Sequence, residues 1–296
     1  MLRTANPAFK HGPFGPAQTW DDLDRQGRAD IPGVDTSEAA TPRRARAESA
    51  AGAMTIGGTV SKTLFLLTCC VATAVFAWSQ LVPYDAQSGQ YLAQFKASPA
   101  PFLFGGLIGG LVFGLWTAFK PNHAPVTATL YSLSEGLFLG AISAMYAVMY
   151  AKGEDGAQTA NGGMVIQAML GTFGVLGVMG VLYGLRIVKP TKKFQAGVLA
   201  ATGAVCLVYM VSIIANLFGG HIPYIHDSGP IGIGFSILVI GIAALNFVLD
   251  FGYIEQGVAN RAPKRAEWYG GFALMTTLVW LYLEMLRLLA KLQSRD

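Results

Sequence analysis

The segment YSLSEGLFLGAIS, Tyr131–Ser143, places one carboxylate, Glu135, in the middle of a long apolar run. No Lys or Arg lies between Lys120 and Lys152, so the sequence offers this acid no local counter-charge. The run itself, Val126–Tyr150, is long enough for a helix that crosses a bilayer, which takes about 20 apolar residues. Such a span must be helical, because lipid cannot satisfy unpaired backbone hydrogen-bonding groups.

Six further apolar runs of similar length lie on either side of this one. The chain is 53% hydrophobic and 13% charged, whereas a soluble domain is about 25% charged. We therefore predict an all-α polytopic membrane protein with seven transmembrane helices. The predicted spans are Thr63–Val82, Phe102–Phe119, Val126–Tyr150, Gly163–Leu185, Ala196–Phe218, Ile231–Phe251 and Trp268–Leu289.

The first 53 residues have a different composition from the rest of the chain. They contain five prolines, many charges and few large apolar side chains. A segment of this kind cannot bury a core. We predict a polar, largely disordered cytoplasmic tail over residues 1–53 and a seven-helix transmembrane domain over residues 54–296.

The Lys and Arg residues of the links predict the orientation of the helices. They are concentrated before the first span and in the second, fourth and sixth links, whereas the other links contain only Lys96 and Lys152. The N-terminus is therefore expected in the cytoplasm. Lys291 and Arg295, which follow the seventh span, conflict with this rule. In this setting the net charge of +4 indicates control of topology rather than binding of nucleic acid.

Glycines recur at short spacing in two of the spans. FGGLIGGLVFG places Gly106, Gly110 and Gly114 four residues apart, and GTFGVLGVMGVLYG contains five more glycines, the first Gly171 and the last Gly184. Small-residue faces of this kind let helix backbones approach closely in lipid. We predict close packing rather than a ligand site at both.

Glu135 is the strongest candidate for a functional acid, because ionisable groups deep in a membrane are costly and therefore usually functional. It lies nine residues beyond Val126, about 14 Å into the span. Tyr131 and Ser132 precede it by about one turn and could hydrogen-bond it. The alternative is a protonated acid that holds helices together.

Two other acids lie within predicted spans. Asp250 is near the cytoplasmic end of the sixth span, with Asn246 one turn before it on the same face. The alternative for Asp250 is a helix-end carboxylate that contacts water. Glu284 lies in the seventh span, and Arg287 follows it at the spacing of an ion pair, so the alternative is a locally neutralised pair.

The fifth link, HIPYIHDSGPIG, contains His226 and Asp227. Asp227 or Ser228 is expected to cap the sixth helix, a role favoured over metal binding, and His226 could add pH sensitivity at the outer mouth. No fixed metal site and no cofactor are predicted. GIGFSIL lacks the glycine that follows the serine of an intramembrane serine protease, and no HExxH occurs, so we do not expect an enzyme.

Several segments together resemble a known family. MTIGGTVSKTLFLL, SEGLFLGAISAMY, HDSGPIGIGFS, LNFVLDFGYIEQG and WLYLEMLRLL are similar to the bacterial Bax inhibitor 1-like (YccA-type) branch of the transmembrane Bax inhibitor motif family. The resemblance covers the chain from about Met54 to the C-terminus. It implies a multi-pass protein of the bacterial cytoplasmic membrane whose last helix is surrounded by the other six.

The resemblance also implies a calcium-permeable, pH-sensitive leak in which an acid late in the sixth helix pairs with an acid in the seventh. Asp250 matches the first of these positions and Glu284 the second. The second acid is Glu rather than the usual Asp, and its spacing from Asp250 is longer than in the family. Straight helices would place these two acids in opposite halves of the bilayer.

The residues and the resemblance together predict a pH-sensitive calcium leak channel. Its buried acids, Glu135, Asp250 and Glu284, would hold a passing cation in steps while protons compete for the same oxygens. The expected partners are the lipid bilayer, calcium ions, protons and possible membrane proteins. One alternative is a non-conducting stress-response or protease-modulating interaction protein that uses residues 1–53 as its contact surface. A second alternative is a proton-coupled calcium exchanger.

Overall fold

The computed structural model of the chain describes residues 52–154, 157–218 and 229–294. Within these ranges it contains seven α-helices, and all seven are long and apolar enough to cross a membrane. They are α1 Ile56–Leu81, α2 Ala100–Phe119, α3 Ala124–Met149, α4 Gly162–Gly184, α5 Lys192–Leu217, α6 Pro230–Ala259 and α7 Ala266–Gln293. The prediction of an all-α polytopic membrane protein is therefore confirmed.

Two short antiparallel hairpins and one 3-10 turn complete the described structure. Strands β1 (Tyr84–Asp85) and β2 (Gln90–Tyr91) form the first hairpin, and β3 (Lys152–Glu154) and β4 (Ala157–Thr159) form the second. The 3-10 turn, Pro121–His123, leads into α3. Both hairpins follow odd-numbered helices, so they lie together at one end of the bundle, called here the hairpin end.

Some helices extend beyond the predicted spans. Helix α1 begins at Ile56 rather than Thr63, because Thr55 caps it and accepts a hydrogen bond from the backbone N–H of Gly58. Helix α6 continues to Ala259 rather than ending at Phe251. In both cases the polar residues that end the apolar run do not end the helix.

The start of α1 is fixed to the loop between α6 and α7. Ala53 forms a β-bridge with Pro263, and the backbone N–H of Met54 donates to the carbonyl of Ala262 at 2.7 Å. The N–H of Lys264 donates in return to Gly52 at 2.9 Å. These contacts define the opposite end of the bundle, called here the N-terminal end. Residues 1–51 of the predicted tail lie outside the described residues.

Helix α7 is the centre of the bundle. Half of its most apolar stretch is buried, compared with 17% in each of α1, α2, α4 and α5. It packs against α1, α3, α4 and α6, and Tyr209 of α5 reaches it with its side chain. Helix α2 packs mainly against α3 and only approaches α7. The last helix is therefore enclosed by its neighbours, as the resemblance implies.

The two glycine-rich faces behave differently. In α2, a Cβ on Gly106 would lie 2.5 Å from the backbone nitrogen of Phe138, so α2 and α3 approach as closely as predicted. In α4, by contrast, a Cβ on Gly174 or Gly177 would have nothing within 4 Å of it, so no described residue packs closely against these glycines. The prediction holds for α2 and is wrong for most of α4, whose packed face consists of larger residues such as Met164 and Met179.

Aromatic residues and backbone hydrogen bonds join the two hairpins. Tyr91 packs edge-on against both Tyr84 and Trp78, with ring centroids 5.2 and 5.8 Å apart. The N–H of Ala160 donates to the carbonyl of Tyr91 at 2.8 Å. In the β1–β2 turn, hydrogen bonds from the Ser88 hydroxyl and nearby backbone hold the pKa of the Asp85 carboxyl below its usual value.

Candidate functional site

Four carboxylates of the described residues lie inside the helical bundle: Glu135, Asp250, Glu267 and Glu284. The sequence predicted three of them as functional candidates, and Glu267 was not among these. Glu267 and Glu284 are almost completely buried, at 0% and 1% exposure. The four differ in the groups that surround them, and that difference separates candidates for ion passage from structural acids.

Glu135 points from α3 into the interface with α2 rather than into lipid. A Cβ on Gly110 would lie 2.6 Å from its Oε1, so the carboxylate occupies the space that this glycine leaves free. Tyr131 lies beside Glu135, as expected, and packs edge-on against Phe272 of α7 at 4.9 Å. The Ser132 hydroxyl has a different partner, because it donates to the carbonyl of Ala128 in its own helix.

Asp250 contacts α7 through a hydroxyl. The Thr277 hydroxyl donates to Asp250 Oδ2 at 2.7 Å. Asn246, one turn earlier, donates instead to the Thr202 hydroxyl at 2.8 Å and so ties α6 to α5. Asp250 is therefore held to the central helix, and Asn246 is used in helix packing.

The acid pair implied by the resemblance does not form between Asp250 and Glu284. Asp250 lies nine residues before the end of α6, about 14 Å from the N-terminal end of the bundle. Thr277 lies eleven residues after the start of α7, about 16 Å from the same end. Glu284 lies two turns further along α7, about 10 Å beyond Thr277. Because α6 continues well past Asp250, the residue that faces it is Thr277.

A polar layer crosses the bundle at this depth. Glu135 lies eleven residues into α3, about 16 Å from its start. Tyr131 beside it reaches Thr276 of α7, and the next residue, Thr277, binds Asp250. The layer therefore joins α3, α7 and α6, with Glu135 on the α3 side of α7 and Asp250 on the α6 side.

Glu284 is neutralised by its neighbours. Arg287 Nη1 donates to Glu284 Oε1 at 2.7 Å and to the Tyr209 hydroxyl at 2.6 Å. The Tyr209 hydroxyl also donates to Glu284 Oε1 at 2.8 Å, and the guanidinium lies 4.8 Å from the centre of the Tyr209 ring. This geometry corresponds to the alternative of a locally neutralised pair, and it anchors α5 to α7.

Lys291 lies inside the bundle and not in a loop. It is 4% exposed, and its Nζ donates to the carbonyl of Gly232 at 2.8 Å and to the Ser236 hydroxyl at 2.9 Å, both in α6. The rule for orientation counts loop charges, so Lys291 does not contradict the orientation predicted from the links. Arg295 lies outside the described residues.

Glu267, in the first turn of α7, is bound by the start of α1. Its Oε1 accepts hydrogen bonds from the backbone N–H and the hydroxyl of Thr55, at 3.1 and 3.0 Å. Lys62 lies 3.8 Å from its Oε2, and Gly58 leaves room for the carboxylate, which would collide with a Cβ at 2.0 Å. The sequence does not distinguish this residue, because an acid in the first turn of a helix is common. Nothing in the sequence connects it with Thr55.

His226 and Asp227 lie outside the described residues, so pH sensitivity at the outer mouth stays a prediction. The N-cap of α6 is Gly229 and not Asp227 or Ser228, so the predicted cap is wrong. In the described ranges, then, the acids divide into two kinds. Glu267 and Glu284 each have a basic side chain within 4 Å, whereas Glu135 and Asp250 form no ion pair there.

The chain was compared with known proteins and protein families. No curated protein matches the chain. A family model described as Bax inhibitor 1 like matches residues 27–294, which include all seven helices. The chain therefore belongs to the Bax inhibitor 1 like family.

Proposed function

We propose that the protein is a leak channel for cations, calcium among them, and that its flux responds to pH. The single observation that carries this proposal is the polar layer with Glu135 and Asp250 at its two sides. In the described part of the chain, neither carboxylate forms an ion pair with Lys or Arg. Carboxylate and hydroxyl oxygens are the ligands that a hard cation such as calcium prefers. Family membership is consistent with channel activity.

Only two of the three predicted acids enter this proposal. Glu284 is not part of the proposed cation pathway, because Arg287 already occupies the position that a cation would take. Glu135 and Asp250 remain, and protons compete with cations for their oxygens. Acidification therefore changes the flux by neutralising these two carboxylates.

The proposal is tested by calcium entry into liposomes that contain an internal calcium indicator, measured across pH. Glu135→Gln and Asp250→Asn are each expected to reduce the flux and to flatten its pH response. Glu255→Gln is the matched control, since Glu255 is a half-exposed acid of α6 that pairs with Arg186 near the surface. Equal flux in empty and protein-containing liposomes overturns the proposal, as does full activity of both variants.

The alternative functions give different results in related assays. A channel keeps its flux when residues 1–51 are removed, a deletion that leaves Gly52 on the α6–α7 loop. An interaction protein that uses the tail loses its partner in a pull-down and shows no flux in either form. A proton-coupled exchanger moves calcium uphill when a proton gradient is imposed, which a leak channel does not.

A further inference from the structure

A cavity of 460 Å³ lies between α1, α3, α4 and α7. Helices α1 and α4 pack against other helices rather than against each other, so a gap remains between them. The cavity is about three times the size of a ~150 Å³ apolar cavity that is known to accommodate benzene. It is therefore large enough for a substantial ligand.

The cavity opens sideways between two membrane-spanning helices. Val75 of α1 and Ile166 of α4 line it and are 62% and 53% exposed, so they form its mouth. Its floor is the central helix, where Met275 and Val279 are buried at 1% and 7% exposure. Because both mouth helices span the membrane, the mouth faces the hydrocarbon of the bilayer.

The hydroxyls inside the cavity are already used. Ser143 and Tyr282 hydrogen-bond each other at 2.7 Å, and Thr172 donates to the carbonyl of Ala168 at 2.8 Å. These bonds use the hydroxyl hydrogens, and the rest of the lining is almost entirely apolar. A buried water, which needs two to four polar partners, is therefore poorly held. The interior therefore suits an apolar ligand.

The length and position of the cavity match one leaflet of the bilayer. Its lining runs from Leu67 to Trp78 on α1 and from Gly162 to Phe173 on α4, about 16 Å along each helix. That is about half of the ~30 Å hydrocarbon core. One end of the cavity is formed by Trp78 and Tyr91 at the hairpin end, and Trp and Tyr are typical of the membrane–water interface.

We propose that this cavity is a binding site for one acyl chain of a lipid from the leaflet at the hairpin end. The chain enters between α1 and α4 with its headgroup beside Trp78 and Tyr91, and its tail lies on Met275 and Val279. A helix from a second copy at this site would exclude the lipid and leave Met275 and Val279 unlabelled. The inference is independent of the proposed channel activity.

The site is tested with vesicles of phosphatidylethanolamine and phosphatidylglycerol that contain a phospholipid with a photoreactive diazirine in one acyl chain. After irradiation, labelled peptides are identified by mass spectrometry. We expect labels on Met275 and Val279, which lipids around the bundle cannot reach. Leu111 of α2, which is 61% exposed, serves as the internal reference for contact with surrounding lipid.

Two tryptophan variants of α1 separate the cavity from the outer surface. Ala74 lines the cavity, so Ala74→Trp is expected to fill it and to abolish labelling of Met275 and Val279. Ala72 is exposed and does not line the cavity, so Ala72→Trp is expected to keep that labelling. Equal labelling of the floor in both variants, or a wild-type protein labelled at Leu111 but not on the floor, overturns the proposal.

Competition in the wild-type protein provides a test that does not depend on folding of a variant. An excess of a non-reactive long-chain fatty acid is expected to reduce labelling of Met275 and Val279 while labelling of Leu111 persists. A parallel loss at all three residues means that the probe was simply diluted, and it contradicts a distinct site.

Discussion

Glu267 and Glu284 are two buried glutamates of the same central helix, yet they are neutralised in different ways. Each has an Oε2 without a hydrogen-bond partner among the described residues. Glu284 is bound directly by Arg287, at 2.7 Å. The basic residue nearest Glu267 is Lys62, which is 3.8 Å away and has a side chain that is 27% exposed. The direct donors to Glu267 are the N–H and hydroxyl of Thr55.

The difference shows that a buried carboxylate can be balanced by a charge or by the start of a helix. Thr55 is the N-cap of α1, so Glu267 lies at the positive end of that helix dipole. At Glu284 a full positive charge performs this role from the same helix. Removal of the basic residue should therefore have very different consequences at the two sites.

The largest effect is expected for Arg287→Met. The substitution leaves Glu284 buried without a cation, which typically costs about 3–5 kcal/mol. Thermal unfolding of the purified protein in detergent should show a large decrease in the apparent Tm. The double variant Glu284→Gln/Arg287→Met removes the uncompensated charge as well and should recover most of that decrease. An equal decrease in the single and double variants would mean that Arg287 acts by packing on Tyr209 and not by balancing charge.

The pair of Glu284 and Arg287 could be predicted from the sequence because it is local. The two residues are three positions apart in one helix, and helical geometry alone brings them together. The seven helices were predictable for the same kind of reason, since each apolar run is continuous and long enough to cross a bilayer. The position of Glu135 near the middle of α3 also follows from counting residues along one helix.

Contacts that depend on two helices could not be derived in this way. Thr277 faces Asp250 because α6 continues to Ala259, and the apolar run ends well before that residue. Glu267 and Thr55 are 212 positions apart in the chain. Their contact depends on how the α6–α7 loop fixes the start of α1, and no pattern of composition or spacing encodes that arrangement.

A smaller effect is expected for Gly58→Ala, which tests the space around Glu267. The added Cβ would lie 2.0 Å from the Glu267 carboxylate, so the acid or α1 must move, and overpacking of this kind typically costs about 1–3 kcal/mol. Gly57→Ala is the matched control, because nothing lies within 4 Å of a Cβ at that position. We expect a lower apparent Tm for Gly58→Ala and little change for Gly57→Ala. Equal Tm values for the two variants would show that Glu267 is not held against α1.

The smallest effect is expected for Lys62→Met. Lys62 is partly exposed and 3.8 Å from Glu267, and pairs of this kind usually contribute about 1 kcal/mol or less. The apparent Tm should therefore fall much less than in Arg287→Met, although both variants remove the basic residue nearest a buried glutamate. Because the contribution is that of a partly exposed charge, it should also shrink further at high salt. If Lys62→Met instead destabilised the protein as strongly as Arg287→Met, the Lys62 charge and not the start of α1 would balance Glu267. The two glutamates would then be neutralised by the same mechanism.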